Sequence, residues 1–211
     1  FPREFVGDLF DYMYDEGYLP EIAVGEFYDG NAALLKGWID DVYYHMDADT
    51  KSHIAPQVFD FSLRSALEQA SDAFGYDARN VFGASAVDAT GLSGMNVITF
   101  ANNHDFRDGE QPLTNNPELA YAYLLTNNQI GLPCVYYPDY YSSIREKIDT
   151  LMLIHKHYIY GASGRDYLSN YGTSYNPFFN TGGASTTLVY QIRNTPKSKD
   201  VIVAINYAGT P

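Results

Sequence analysis

Apolar residues recur along this chain in two arrangements, as short continuous runs and as longer stretches at helical spacing. Between the runs, spacings of three and four residues predict helices over 2–14, 31–38, 62–74, 117–130 and 142–160. The short runs predict four buried strands over 22–26, 58–61, 96–100 and 134–137. Strands that alternate with helices in this way predict an α/β fold with a parallel sheet.

Local signals mark the ends of several predicted helices. Ser62 is a residue type that caps helices, so we expect it to begin the helix that follows the second strand. Pro117 suits the first turn of the next long helix. The last helix has the most regular pattern, and we expect one side of it to carry Ile144, Ile148, Leu151, Met152 and His155.

The pattern changes after Tyr160, where Gly, Ser, Asn and Thr dominate as far as Ala184. Two further strands are predicted over 186–193 and 201–207. We therefore divide the chain into an α/β unit over residues 1–165 and a linker with the start of a β domain over residues 166–211.

Two acidic residues stand where predicted strands end. Glu26 closes the first strand, and Asp105 follows the third strand after Asn-Asn-His. Parallel strands place their carboxyl ends on one rim, which is where α/β barrels carry their chemistry. A complete barrel needs eight strands and about 250 residues, so we expect half a barrel followed by a β module.

Composition and charge narrow the classes of partner. The chain has 211 residues and a net charge of −13, which disfavours nucleic acid. No apolar run approaches the roughly 20 residues of a membrane span, and a single cysteine, Cys134, cannot form an intrachain disulfide. The 20 Tyr and 12 Phe residues suit a core, but Tyr also suits a surface that stacks on sugar rings. A neutral polymer or an oligosaccharide is compatible with these features.

Two carboxylates on one rim are also what glycosidic bond cleavage requires, since one protonates the leaving oxygen and another supports the oxocarbenium-like centre. Glu26 stands between an apolar strand and Phe27-Tyr28, a setting that raises the pKa of a carboxyl group and suits a general acid. The alternative is an ordinary strand-end Glu, and His104-Asp105 would then be part of a polar loop that caps the next helix.

The order of these motifs resembles the α-amylase family (glycoside hydrolase family 13). Residues 24–28, Val-Gly-Glu-Phe-Tyr, resemble the segment at the fifth barrel strand, and residues 100–105, Phe-Ala-Asn-Asn-His-Asp, resemble the seventh-strand motif. Residues 60–63 match the sixth-strand region and residues 131–141 the eighth, although Pro138 stands where the family usually has Gly. The pattern is most similar to that of bacterial liquefying-type α-amylases. The resemblance implies the C-terminal half of a (β/α)8 TIM barrel, strands 5–8, over residues 1–165, and part of an antiparallel β domain after it.

The resemblance also implies roles for individual residues. Glu26 would be the catalytic acid/base, and Asp105 would stabilise the transition state. The residues implied in substrate binding are His104, Tyr28, Phe27, Arg107 and Asp139. The reaction would be retaining hydrolysis of starch or a related α-glucan.

The family's nucleophilic Asp belongs to the fourth strand, and nothing before Glu26 fits it, because Asp8, Asp11 and Asp15 follow no strand. We therefore expect the nucleophile to come from upstream, and this chain alone to be inactive. The resemblance implies no cofactor or metal ligand in this chain, calcium at an upstream site of the whole enzyme, and an extracellular or periplasmic location. A half-barrel exposes unpaired strand edges, so we expect marginal stability, or pairing with the missing half or with a second copy. The alternatives are a non-catalytic α-glucan-binding module and an inactive excised piece.

Overall fold

A computed structural model of the protein describes residues 1–72, 75–106, 112–173, 184–197 and 199–208. Two sheets organise the chain, with helices packed against them. The strands are β1 (Ala23–Gly25), β2 (Pro56–Phe59), β3 (Val97–Phe100), β4 (Leu132–Cys134), β5 (Gly164–Tyr167), β6 (Thr187–Arg193) and β7 (Val201–Asn206). The α-helices are α1 (Arg3–Asp15), α2 (Ala32–His45), α3 (Ala48–Lys51), α4 (Phe61–Asp72), α5 (Ala86–Thr90), α6 (Pro117–Thr126), α7 (Tyr137–Tyr140) and α8 (Arg145–Ile154).

The first sheet has the order β1-β2-β3-β4, and all three pairs of neighbours are parallel. Each strand returns to the next through at least one helix, as parallel pairing requires. The prediction of an α/β fold with a parallel sheet is therefore confirmed. All four carboxyl ends lie at one edge of this sheet.

The fourth strand lies earlier in the chain than predicted. It spans Leu132–Cys134, and Tyr137 begins the short helix α7. Gly131 explains the shift, because its φ of 137° and the approach of the Val97 carbonyl, 2.7 Å from where a Cβ would stand, fix the chain against β3 at this residue. Pro133 is tolerated because β4 is an edge strand within this sheet.

Helix α4 begins one residue before Ser62, so the predicted cap is wrong. Asp60 supplies the cap instead, since its Oδ1 accepts a hydrogen bond from the Leu63 amide at 3.0 Å and its Oδ2 accepts one from the Ala86 amide at 2.9 Å. Ser62 donates its hydroxyl to the Ala84 carbonyl at 2.8 Å. A carboxylate with two oxygens joins α4 to the start of α5, which a single hydroxyl cannot do.

The last predicted helix is shorter than its pattern indicated. The α-helix ends at Ile154 and continues as one π-helical turn, His155–Ile159. Ile148 is fully buried, whereas Met152, which was predicted on the same side of the helix, is 44% exposed. Helix α2 differs in the other direction, since it runs seven residues beyond the predicted end at Trp38 and buries Ile39 and Val42.

The second sheet is antiparallel, with the order β5-β6-β7. Strands β6 and β7 confirm the two predicted strands, whereas β5 was not predicted and spans the expected boundary between residues 165 and 166. The side chains of Leu188 and Tyr190 on β6 join the same buried core as Leu124 on α6 and Ile148 on α8. The division at residues 165 and 166 stays a prediction, and the second sheet shares a core with helices on the other side of it.

Candidate active site

Three side chains meet at the carboxyl edge of the parallel sheet. Glu26 directly follows β1, and His104 and Asp105 lie in the rim loop (residues 101–106) that follows β3. The polar atoms of these three side chains all lie within 4.8 Å of one another. His104 Nε2 is 3.4 Å from Asp105 Oδ1, and both side chains are exposed. The structure thus brings together the two residues predicted to be catalytic.

The backbone before Glu26 is held by close packing. A Cβ on Gly25 would stand 2.3 Å from Cη2 of Trp38, so only glycine lets β1 lie against this indole. The amide of Ala23 donates to Gln57 Oε1 at 3.1 Å, which adds a side-chain bond to the β1–β2 ladder. These contacts fix the strand immediately before the carboxyl group.

The rim loop is held by asparagine side chains. Asn102 accepts from the Leu113 amide at 2.8 Å and donates to the Leu113 carbonyl at 3.3 Å, and its Nδ2 lies 3.0 Å from Asp139 Oδ2. Asn103 Oδ1 accepts from the Asp105 amide at 3.0 Å. Such a local side-chain to backbone bond fixes the turn that presents His104 and Asp105.

An aromatic cluster lies beside the acid pair, Glu26 and Asp105. Phe61, Phe100 and Phe106 are buried together, and Phe59 packs against them. Tyr28 is 68% exposed and meets the edge of Phe61 at 4.7 Å between ring centroids. The site therefore combines two carboxyl groups with an exposed ring, a pairing that suits a sugar.

The pKa of Glu26 is raised above its ordinary value. Partial loss of hydration contributes most, followed by a hydrogen bond with Asp105 and the negative charge of Asp105. A positive charge on His104 opposes these effects. A carboxyl group whose pKa is raised beside a second carboxyl group suits the role of a general acid.

The other predicted substrate-binding residues are placed in different ways. Phe27 is partly buried, with the Arg3 guanidinium 5.6 Å from its ring centroid. Asp139 uses Oδ2 to accept from Asn102 and, at 2.7 Å, from the hydroxyl of Tyr121. Arg107 lies outside the described residues. The roles of these residues in substrate binding stay predictions.

Sequence reasoning missed the supporting residues Tyr121, Gln57 and Arg64. Tyr121 is fully buried, and its hydroxyl accepts from the Tyr136 amide at 3.2 Å while donating to Asp139. A Tyr in a helix of mixed apolar pattern gives no signal of such a contact. Gln57 directly precedes the apolar run that begins at Val58, and this was a usable signal, because an amide buried beside such a run needs partners.

Calcium was expected upstream of this chain. Among the described residues, Glu26, His104 and Asp105 form the one group of three side chains that could hold a metal ion. Calcium prefers six to eight oxygen ligands. This group offers two carboxyl groups and an imidazole, and the two carboxyl groups are those of the candidate active site. The group therefore does not fit a calcium site.

A groove of about 710 Å³ opens beside Glu26. Helix α1, strand β1 and Trp38 line it, and its walls are mostly apolar. Strand β1 pairs with β2 on one side, and within the described residues no strand pairs with its other side. No helix in the described parts of the chain is long and apolar enough to cross a membrane.

The chain is similar to an α-amylase of Geobacillus stearothermophilus, with 30% identity over 165 residues. The similarity covers 72% of this chain and 27% of that enzyme, so the chain spans about a quarter of the length of this relative. No family model matches the chain. This similarity supports the resemblance to amylases that the motif order indicated.

Proposed function

We propose that this chain carries part of the active site of a retaining hydrolase of α-linked glucans, such as starch or glycogen. The observation that carries the proposal is the contact between Glu26, whose pKa is raised, and the carboxyl group of Asp105. The similarity to an α-amylase supports the same reaction class.

In the proposed mechanism, Glu26 is the general acid and then the general base. Its carboxyl proton passes to the glycosidic oxygen as the bond from this oxygen to the anomeric carbon breaks. A carboxylate from elsewhere attacks the anomeric carbon and forms a glycosyl ester. Glu26 then takes a proton from water, which attacks the same carbon and releases the carboxylate.

Asp105 and His104 serve the sugar at the point of cleavage. Asp105 stabilises the positive charge that develops on the ring, and His104 donates a hydrogen bond to a sugar hydroxyl. Tyr28 offers an exposed ring on which the sugar of the leaving group can stack. Phe27, Arg107 and Asp139 are proposed as further substrate contacts.

The nucleophile is proposed to come from a segment upstream of Phe1. A retaining site places the acid and the nucleophile roughly 5–5.5 Å apart. Strand β1 lines the groove beside Glu26, and one side of β1 pairs with no strand among the described residues. Ile22, Val24 and Leu9 line this groove and leave 65, 41 and 41% of their surface exposed. A further strand and helix would cover these side chains and extend the sheet toward a barrel.

A reconstitution assay on soluble starch tests this function. The chain is assayed alone and as part of a longer polypeptide that contains the upstream region, with reducing ends as the measure. We expect hydrolysis by the longer protein only. Hydrolysis by the chain alone would contradict the proposed source of the nucleophile.

Matched variants in the longer protein test the role of Glu26. We expect Glu26→Gln to abolish turnover and to keep glucan binding, because the amide keeps the shape of the side chain but cannot supply a proton. Glu21→Gln changes an exposed Glu in the segment before β1 and serves as the control. Unchanged turnover in Glu26→Gln removes Glu26 from its proposed role.

A glucan-binding module without catalysis is the second candidate function. Exposed tyrosines at the rim favour it, since Tyr28 is joined there by Tyr137 and Tyr141, whose rings lie 4.5 Å apart. Binding of amylose by both proteins without hydrolysis by either would select this candidate. The proposed ligand in both cases is an α-glucan in an extracellular or periplasmic setting.

A further inference from the structure

Arg64 is a buried cation that contacts the rim loop. It belongs to α4, is 5% exposed, and forms an ion pair with Glu68 in which Nη1 and Oε2 are 2.7 Å apart. Its Nε donates to the Ala101 carbonyl at 3.4 Å. Its guanidinium carbon lies 3.9 Å from the centroid of the Phe106 ring. One side chain therefore contacts both the first and the last residue of the rim loop.

We propose that Arg64 is a positioning residue that holds Asp105 against Glu26. The two contacts of Arg64 enclose the four residues 102–105, which include both polar groups that the loop presents. Asp105 is next to Phe106 in the chain, so a displacement of the Phe106 ring moves the Asp105 carboxyl group. The catalytic importance of Arg64 rests on the proposed function, whereas its effect on the carboxyl pair does not.

The Phe106 ring also reaches the segment that carries Glu26. Its centroid is 6.4 Å from that of Phe61 and 6.5 Å from that of Tyr28, and Tyr28 is two residues beyond Glu26. Tyr28 in turn meets the edge of Phe61 at 4.7 Å. Both carboxyl-bearing segments therefore pack on the same rings, and Arg64 fixes one of these rings from behind.

Arginine suits this position for a geometric reason. A guanidinium group is planar, so it stacks on a ring while its N–H groups donate in the plane to a carbonyl and a carboxylate. A lysine ammonium can pair with Glu68 but cannot make the stacked contact at the same time. The variant Arg64→Lys therefore separates the ion pair from the contact with Phe106.

The test measures the pKa of Glu26 by carboxyl-detected NMR titration of the chain. Asp105 raises the pKa of Glu26 through a hydrogen bond and its charge, so this pKa reports the distance between the two groups. The variant Asp105→Ala gives the value without Asp105. We expect Arg64→Met to lower the pKa of Glu26 by more than half of the change that Asp105→Ala produces, and Arg64→Lys to lower it by less.

Arg79 provides a matched control. It is 6% exposed, pairs with Asp77 at 2.6 Å, and its guanidinium carbon lies 3.9 Å from the Tyr171 ring centroid. The control variants Arg79→Met and Arg79→Lys both remove a buried, stacked guanidinium group whose partners Asp77 and Tyr171 lie outside the rim loop. We expect both to leave the pKa of Glu26 at the wild-type value, which separates positioning from a general loss of stability.

A wild-type pKa of Glu26 in folded Arg64→Met would overturn the proposal. If Arg64→Met does not fold, Arg64→Lys decides, and an unchanged pKa in that variant has the same meaning. A lowered pKa in a protein that never hydrolyses glucan would support Arg64 and reject the proposed function. Hydrolysis by the longer protein together with an unchanged pKa of Glu26 in the Arg64 variants would support the proposed function and reject the role of Arg64.

Discussion

The carboxyl groups of Glu26 and Asp105 lie within hydrogen-bonding reach, although β1 and β3 are not neighbours in the sheet. Strand β2 lies between them and is followed directly by Asp60, which is fully buried. Asp60 turns to the amides of Leu63 and Ala86, so it leaves the rim free. The contact thus spans β2, whose own strand-end acid is buried and bonded to two backbone amides.

The electrostatic coupling of Glu26 to Asp105 and His104 predicts that two substitutions shift the pKa of Glu26 in opposite directions. Asp105→Asn should lower the pKa of Glu26, because it removes the negative charge that favours the protonated form. His104→Ala should raise the pKa, because a positive imidazolium favours the carboxylate. NMR titration measures both, with the exposed Glu21 carboxyl as an internal control. A shift of the same sign in both variants would contradict this electrostatic account.

A methyl group on Gly25 is predicted to displace Trp38. Gly25→Ala would place its Cβ 2.3 Å from the indole, so β1 and α2 must separate. Overpacking of this kind costs about 1–3 kcal/mol. Trp38 is the single Trp of the chain, so its fluorescence in a urea titration measures both the local change and the loss of stability.

Gly30→Ala is the control for this experiment, since a Cβ there meets no atom within 4 Å. We expect its emission spectrum and its urea midpoint to match those of the wild type. Equal stability of Gly25→Ala and Gly30→Ala would show that the packing of β1 on Trp38 is looser than these distances indicate.

The strand ends and the acid pair were predictable because they depend on local pattern. A short apolar run followed by Glu26 indicates a buried strand with an acid at its tip, and parallel order then places Asp105 on the same rim. Strand β5 was not predictable in this way. Its sequence, Gly-Arg-Asp-Tyr, has no strand pattern, and it becomes a strand only by pairing with β6 over Gly164–Tyr167.

The supporting contacts of the site were also beyond local reasoning. Tyr121 and Asp139 are 18 residues apart, Asn102 and Asp139 are 37 apart, and Arg64 and Ala101 are also 37 apart. Ser62 was predicted as a cap from its residue type. Asp60 caps α4 instead, and its second oxygen accepts a hydrogen bond from the distant Ala86 amide. Such choices depend on which elements meet in three dimensions.

Loss of the Tyr121 hydroxyl is predicted to weaken the contact between α6 and α7. Tyr121→Phe removes a donor to Asp139 and leaves the Tyr136 amide without this acceptor. An unsatisfied buried group costs about 1–3 kcal/mol, and urea unfolding measures the loss. Tyr44→Phe, at an 81% exposed position, is the control. Equal unfolding free energies for the two variants would mean that the Asp139 contact adds nothing to stability.

Asp60 is predicted to make the stability of the chain fall as the pH rises. Burial raises the pKa of Asp60 to about 7 from an ordinary value of 3.8, although two backbone amides oppose this. Between these values the folded state holds a proton that the unfolded state has lost. The contribution of Asp60 to the free energy of unfolding therefore decreases by up to about 1.4 kcal/mol for each pH unit. This decrease ends above pH 7.

The variant Asp60→Asn cannot titrate, so this part of the pH dependence should disappear. Urea unfolding of the wild type and of Asp60→Asn from pH 4.5 to pH 8 gives the difference between their stabilities. We expect the wild type to lose stability relative to the variant up to about pH 7 and to run parallel to it above that pH. Asp8→Asn, on the exposed face of α1, should stay parallel to the wild type throughout. Parallel curves for Asp60→Asn over the whole range would mean that the two amide bonds keep Asp60 ionised in the folded protein.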